Sequence, residues 1–258
     1  MNAPEERKKE MDILEQARKE LERICDERGL DRNQCLTVRA LTPDEAIGAG
    51  ADENFVIKKG KERVIEAVYG EARGQAFTDA PGNWQGTLSE LLALDLRETK
   101  NRAVFTAGLN AVLRGLELAE GTIHCKDDEP TKCGGEMPEM LHKQFGTRRY
   151  GMIGLQPAIL KDMVDAFGKV GMRVADLNPD NIGREKEDLI VMDGEKDLGK
   201  LVDWCDVGLA TGSSVVNGTI NEILELFEAA GKPVVFFGNT ISGVAALLNL
   251  ERICPFAK

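Results

Sequence analysis

Soft donors are the residues best suited to chemistry in this 258-residue chain, which has six cysteines and two histidines. His124 abuts Cys125, Cys133 follows in the same stretch, and Cys254 sits in Arg252-Ile253-Cys254-Pro255. Thiolate and imidazole together suit zinc or iron, or an iron–sulfur cluster where enough thiolates converge. His124, Cys125, Cys133 and Cys254 are therefore the candidate metal ligands, with Asp127 and Asp128 as oxygen donors or supporting groups. The spacing is not the C-x-x-C of a zinc knuckle, and the competing reading makes these cysteines small buried hydrophobes. Cys25, Cys35 and Cys205 read as core residues, and His142 as a surface residue on a polar helix. With two histidines and no G-x-S-x-G elbow, a hydrolase triad is not expected.

A second group of candidates is polar and lies at turns. These are Gly154-Leu155-Gln156-Pro157, Asp176-Leu177-Asn178-Pro179, Thr211-Gly212-Ser213-Ser214 with Asn217, and Gly238-Asn239-Thr240. Each stands where a buried strand should end. In an open parallel sheet such turns share one edge, and ligands bind there. Gln156, Asp176, Asn178, Thr211, Gly212, Ser213, Asn217, Asn239 and Thr240 are the candidate ligand-binding residues. Local structure competes at each: Asp176 can open a turn without a ligand, and Thr219 with Glu222 has capping-box spacing. The G-x-G-x-x-G fingerprint is absent, which weakens a dinucleotide reading.

Those turns need alternating strands and helices to place them. Strands are expected at Tyr150–Gly154, Met172–Ala175, Leu189–Met192, Val207–Ala210 and Val234–Phe237. Helices are expected at Pro157–Phe167, Leu198–Trp204, Thr219–Ala230 and Ser242–Asn249. Such alternation means a doubly wound parallel sheet. The preceding part carries strands first (Cys35–Leu41, Asn54–Ile57, Arg63–Tyr69, with Gly70–Thr78 continuing the sheet) and helices later, an α+β pattern. Lys58–Lys61 is the expected turn between the second and third strands. Thr42-Pro43-Asp44-Glu45 and Thr87-Leu88-Ser89-Glu90 are capping boxes, and Arg102–Leu116 is a strong helix. From Gly121 to Gly146 a connector is expected, closed by a helix over about Pro138–Gln144. One long helix covers about Glu5–Arg28, with Gly29 as its stop. Its stripe of Met11, Leu14, Ala17, Leu21 and Ile24 fits packing on the body better than dimerisation, although a homodimer is an alternative.

Composition sets the outer bounds. The formal net charge is −11, a balance that disfavours a nucleic-acid partner, because phosphate neutralisation needs clustered cations. The polar start lacks an apolar leader, no run reads as a membrane span, and unpaired cysteines fit a reducing compartment, so a cytoplasmic location is expected.

The run Arg102-Ala103-Val104-Phe105-Thr106-Ala107-Gly108-Leu109-Asn110-Ala111-Val112, the Gly154–Pro157 turn, the Thr211–Thr219 loop and Gly238-Asn239-Thr240 together resemble a known family. It is the putative heavy-metal chelation domain family, and the resemblance covers about Leu36 to Cys254. It implies an α/β protein with an enolase N-terminal-like α+β unit followed by a Rossmann-like doubly wound parallel sheet. Divided so, the chain has a helical extension over 1–35, an α+β domain with the Cys/His loop over 36–146, and a Rossmann-like domain over 147–258. The resemblance further implies a metal ion or metal-bearing small molecule bound in a cleft between the last two. The loop from His124 to Cys133 looks like a feature of a subgroup of the family rather than of every member, and the long N-terminal helix looks like an addition. A rival reading is an enzyme holding a nucleotide-like cofactor, such as S-adenosylmethionine, with Asp176 on a ribose or Cys125 as nucleophile.

Overall fold

The computed structural model describes residues 12–48 and 62–258. The expected start of the first helix near Glu5, with Met11, lies outside the described residues, as do the strand Asn54–Ile57 and the turn Lys58–Lys61. Helix α1 (Ile13–Arg28) begins where the Asp12 side chain accepts the Leu14 N–H, and ends at Gly29, which is left-handed at φ 62°. Its stripe of Leu14, Ala17, Leu21 and Ile24 joins the main core of the same chain. The apolar face is thus used in packing.

Four strands form an antiparallel sheet. They are β1 (Cys35–Ala40), β2 (Arg63–Tyr69), β3 (Ala72–Thr78) and β4 (Trp84–Thr87), in the order β3-β2-β1-β4. Both expected capping boxes are present, Thr42 opening α2 (Pro43–Ile47) and Thr87 opening α3 (Leu88–Leu92). Helix α4 (Thr99–Gly115) lies against this sheet and is buried continuously from Ala103 to Leu113. It lies so close that a Cβ on Gly74 would stand 2.2 Å from the Ala111 nitrogen.

The second sheet is parallel and six-stranded. Its strands are β5 (Tyr150–Ile153), β6 (Met172–Asp176), β9 (Met192–Asp193), β10 (Val207–Thr211), β11 (Val234–Phe237) and β12 (Arg252–Ile253). The order is β12-β11-β10-β5-β6-β9. A short antiparallel ribbon of β7 (Glu185–Lys186) and β8 (Leu189–Ile190) stands apart. The connecting helices are α5 (Glu129–Phe145), α6 (Pro157–Phe167), α7 (Leu198–Trp204), α8 (Ser214–Asn217), α9 (Ile220–Ala229) and α10 (Ser242–Leu248).

Period-two alternation gives this sheet two covered faces. Met152, Val174, Leu209 and Val235 share a core with Leu141 of α5 and Leu160 and Met163 of α6. Their neighbours Ile153, Ala175, Ala210 and Phe236 join the other core, with Leu201 of α7 and Ile220 and Phe227 of α9. The mixed α/β class expected from the sequence is therefore observed.

Several local expectations need correction. Helix α5 begins at Glu129, well before Pro138, so Cys133 lies on a helix and not in a loop. Gly134 permits this, because a Cβ there would meet Asp162 Oδ2 at 2.4 Å across the α5–α6 contact. The expected strand over Leu189–Met192 is two short strands. Thr219 precedes α9 without a side-chain cap bond. Cys35 is exposed, since it stands on an outward position of β1, whereas Cys25 and Cys205 are buried as expected. Strands β4 and β12 and helix α8 were not foreseen; two to four residues carry too little periodicity to read.

One buried polar residue joins the two sheets. The Asn110 amide nitrogen donates to the carbonyls of Gln75 in β3 and Thr240 beyond β11, each at 2.9 Å. Its Oδ1 accepts the Gly243 N–H of α10 at 2.7 Å. Asn110→Leu would leave two carbonyls and one N–H unpaired in the core, so a loss of about 3 kcal/mol in unfolding free energy is expected. Urea denaturation checks this; a change within experimental error would refute the linking role.

Candidate metal and thiol site

In a parallel sheet all strands end on one edge. Here that edge carries Gly154, Asp176, Thr211, Gly238 and, because β12 runs beside β11 in the same direction, Cys254. The short strand β12 therefore delivers the last cysteine to the edge defined by the turns. Arg252 fastens a second segment there, its guanidinium donating to the carbonyls of Glu120 at 3.0 Å and of Gly121 and Gly238 at 3.3 Å. Ile123 exchanges backbone hydrogen bonds with Lys258 at 2.8 and 2.9 Å, and Lys258 Nζ pairs with Glu129 at 2.9 Å. These ties bring the His124-Cys125 segment and the start of α5 to Cys254.

Cys133 and Cys254 are thereby brought near enough for each to shift the other's ionisation. Cys125 feels the charge of Cys254, and Cys133 that of Cys125. These effects split the pair electrostatically. The neighbouring Cys133 thiol, helped by Arg252 and backbone N–H groups, overcomes burial and draws the Cys254 pKa down to about 7. The Cys254 thiolate and burial push Cys133 far above the usual thiol range. Burial, with a smaller contribution from the Cys254 charge, lifts Cys125 to about 12. Cys125 is thus held protonated at neutral pH, which disfavours the rival reading of it as a nucleophile.

His124 is positioned differently. Burial lowers its pKa to about 4, so the ring is neutral. Its Nδ1 lies 2.6 Å from the Cys125 carbonyl, a contact that fixes the proton on Nδ1 and leaves Nε2 with its lone pair. Phe77 packs edge-on against the ring at 5.2 Å. The His124 N–H donates to Gln75 Oε1 at 2.9 Å, and the Gln75 amide nitrogen bonds Glu66 at 2.9 Å.

The expected four-ligand sphere is not assembled. Among the described residues no three His, Cys, Asp or Glu side chains gather as metal ligands. One reason is local: the His124 ring is turned to its neighbour's carbonyl. Asp128 forms an exposed ion pair with Lys132 at 2.7 Å rather than supporting a ligand. The donor chemistry nonetheless fits a thiophilic metal, since the Cys254 pKa is lowered to about 7 near a second thiol.

The turn residues fall into two groups. Gln156 caps α6, its Oε1 accepting the Ile159 N–H at 2.7 Å. Both Asp176 oxygens are engaged at 2.6 Å, one by Leu155 N–H and one by Asn178 N–H. That is the turn-opening role, and it leaves a ribose reading without support. Asn178 Oδ1 accepts the Asp180 N–H at 3.0 Å. Thr211 Oγ1 accepts the Ser213 N–H at 3.3 Å, and the Asn217 carbonyl accepts from Arg102 at 3.4 Å. Gly212 packs under Ile241, where a Cβ would meet Cγ2 at 2.9 Å.

Asn239 and Thr240 are sealed inside. Asn239 donates to the Thr122 carbonyl at 3.3 Å, and Thr240 Oγ1 accepts the Phe77 N–H at 3.1 Å. The strand order reverses between β5 and β10, the place where a crevice is expected. There Thr211 fills the gap, its Cγ2 standing 2.5 Å from where a Gly154 Cβ would be. Two surface hollows lie elsewhere, one beside Pro138, His142 and Phe167, the other beside Ile13, Leu224 and Leu248. Sequence reading missed the roles of Asn110, Arg252 and the Gly238 N–H. A polar residue amid Ala107-Gly108-Leu109 and Ala111-Val112-Leu113 was the one available signal.

Iodoacetamide should alkylate Cys254 with a rate that rises with pH and reaches half its maximum below the ordinary thiol range of about 8.5. Cys133→Ala removes the neighbouring thiol and should move that midpoint upward. An unmoved midpoint, followed by peptide mapping across pH, would contradict the pairing.

Residues 139–251 match a family model described as putative heavy-metal chelation. Among solved structures, one from Pyrococcus horikoshii, a protein of unknown function in that family, aligns with a TM-score of 0.51 and 16% identity. It covers 88% of this chain and 79% of its own. Another protein of unknown function from that family, from Desulfitobacterium hafniense, aligns at a TM-score of 0.48 and 14% identity over 72% of each chain. No curated protein matches. Among the described residues no helix is long and apolar enough to cross a membrane. Cys133 and Cys254 flank the matched span, and the turns after β5, β10 and β11 that carry the resemblance lie within it: residues 139–251 match the model of the putative heavy-metal chelation family.

Proposed function

We propose that this protein binds a soft, thiophilic metal ion, free or carried by a small molecule, through Cys133 and Cys254. The observation that carries the reading is that the ties of Arg252, Ile123 and Glu129 to neighbouring segments gather the start of α5, with Cys133, and the chain after β12, with Cys254, at the strand-end edge. Two neighbouring thiols, one of them with its pKa lowered to about 7, are a step from a bis-thiolate, and a monovalent d10 ion such as Cu(I) accepts two sulfur ligands. Cys125 stands by as a third sulfur, and His124 as a nitrogen donor on the same segment. The partly accessible Gln156, Asp176, Asn178, Thr211, Ser213 and Asn217 would meet the organic part of a metal-bearing molecule. Asn239, Thr240 and Gly212 would act by holding the edge rigid. We keep the division at residues 36–146 and 147–258, with the site between those units, as part of this proposal, together with a reducing, cytoplasmic setting.

Metal must displace the Cys133 proton, so affinity should rise with pH. Anaerobic, reduced protein competing with a colorimetric chelator should take up Cu(I). Cys254→Ser should weaken uptake by more than about tenfold, the least expected for loss of a direct ligand. His124→Ala should change it far less. Equal uptake by wild type and Cys254→Ser would sink the proposal.

A further inference from the structure

The chain beyond β12 is fixed at one end and lightly tied at the other. Ile253 is buried and pairs with Phe237 in the sheet, so the backbone is anchored up to that residue. After it, residues 254–257 are half-buried and Lys258 is exposed. Phe256 leans on the core cluster that contains Cys133 and Met137. Ala257 lies against Gly121, where an added Cβ would stand 3.1 Å from the Ala257 Cβ. Lys258 exchanges two backbone hydrogen bonds with Ile123, and its Nζ pairs with Glu129. It thus bridges both ends of the segment 123–129, and Cys125 lies between them. Cys125 and Cys133 are 4% and 7% exposed.

These ties are easily broken. The Lys258 and Glu129 side chains are 60% and 25% exposed, so water and salt screen their attraction. Beside that pair stand two backbone hydrogen bonds and one half-buried ring. So small a set of contacts opens locally at a free energy well below that of global unfolding. Arg252 lies before the segment and keeps its own carbonyl partners at Glu120, Gly121 and Gly238 when the segment leaves. We propose that residues 255–258 are a strap that opens about Cys254 and gates access from solvent to Cys125 and Cys133. Release of Lys258 frees the segment 123–129, and release of Phe256 uncovers the side of the core where Cys133 lies. Thiol access then follows the local equilibrium of the strap, with both sheets intact. Use of this gate by an entering metal rests on the function proposed above; the gate itself does not.

Metal-free, reduced protein treated with N-ethylmaleimide under native conditions, with peptide mapping over time, tests the strap. Lys258→Ala removes the ion pair and should speed labelling of Cys125 and Cys133 about two- to fivefold, the range for an exposed pair. Loss of a nearby cation by itself makes a thiol less reactive, so that effect has the opposite sign. Phe256→Ala should speed both by more than about tenfold, because the buried part of the ring is lost. Cys205 is fully buried, reports global unfolding and should stay protected in every variant. Exposed Cys35 should label at one rate throughout. Unchanged Cys125 and Cys133 rates in both variants, or rates that rise only together with that of Cys205, would overturn the strap. Chelator competition on the same proteins separates the two claims. Faster labelling without Cu(I) uptake by wild type would refute only the metal reading, and uptake with unchanged labelling would refute only the strap.

Discussion

The two sheets and the thiol site depend on one buried amide. Asn110 faces the carbonyl of Gln75 on one side and that of Thr240 on the other, each at 2.9 Å. An unpaired amide at this depth would cost more than its hydrogen bonds gain, so its partners must stay in register. Through Gln75 the constraint passes to Thr122, whose carbonyl accepts the Gln75 N–H at 2.9 Å. Through the turn it passes to Asn239 and Ser242, the latter reaching Gly121 at 2.6 Å. Both routes end on the segment that leads into His124 and Cys125. The site is thus held by a polar network inside the core, with the surrounding apolar packing enforcing it.

The same geometry explains why a turn-lined edge need not be an open pocket. Turns after β5 and β10 flank the reversal in strand order, yet Gly154 and Thr211 pack into each other there. Asn239 and Thr240 point inward because the antiparallel unit covers the end of β11. The chemistry gathers farther along the edge, where β12 ends and α5 begins. Short-range spacing could not reveal this, because Cys133 and Cys254 are brought together by the edge strand and Arg252, not by sequence proximity.

Long periodic elements were legible. Pro157–Phe167 and Leu198–Trp204 stand where the apolar spacing and helix starts put them. The parallel sheet followed from the alternation of strands and helices. Capping boxes at Thr42 and Thr87 were legible because both halves of each reciprocal bond are written in the chain. Helix α5 was misplaced because Gly134, Gly135 and Pro138 read as breakers, whereas Gly134 is required by the close approach of α6. The four candidate donors were legible as residue types. Their division into two thiols that shift each other's ionisation, a protonated neighbour and a neutral histidine turned to a carbonyl was not, because burial and long-range contacts decide it.

X-ray absorption at the copper edge of Cu(I)-loaded protein examines the central claim most directly. The account predicts a first shell of sulfur in wild type that loses one scatterer in Cys133→Ser. A shell of nitrogen and oxygen alone, or a sulfur shell unchanged when both Cys133 and Cys254 are serine, would contradict it.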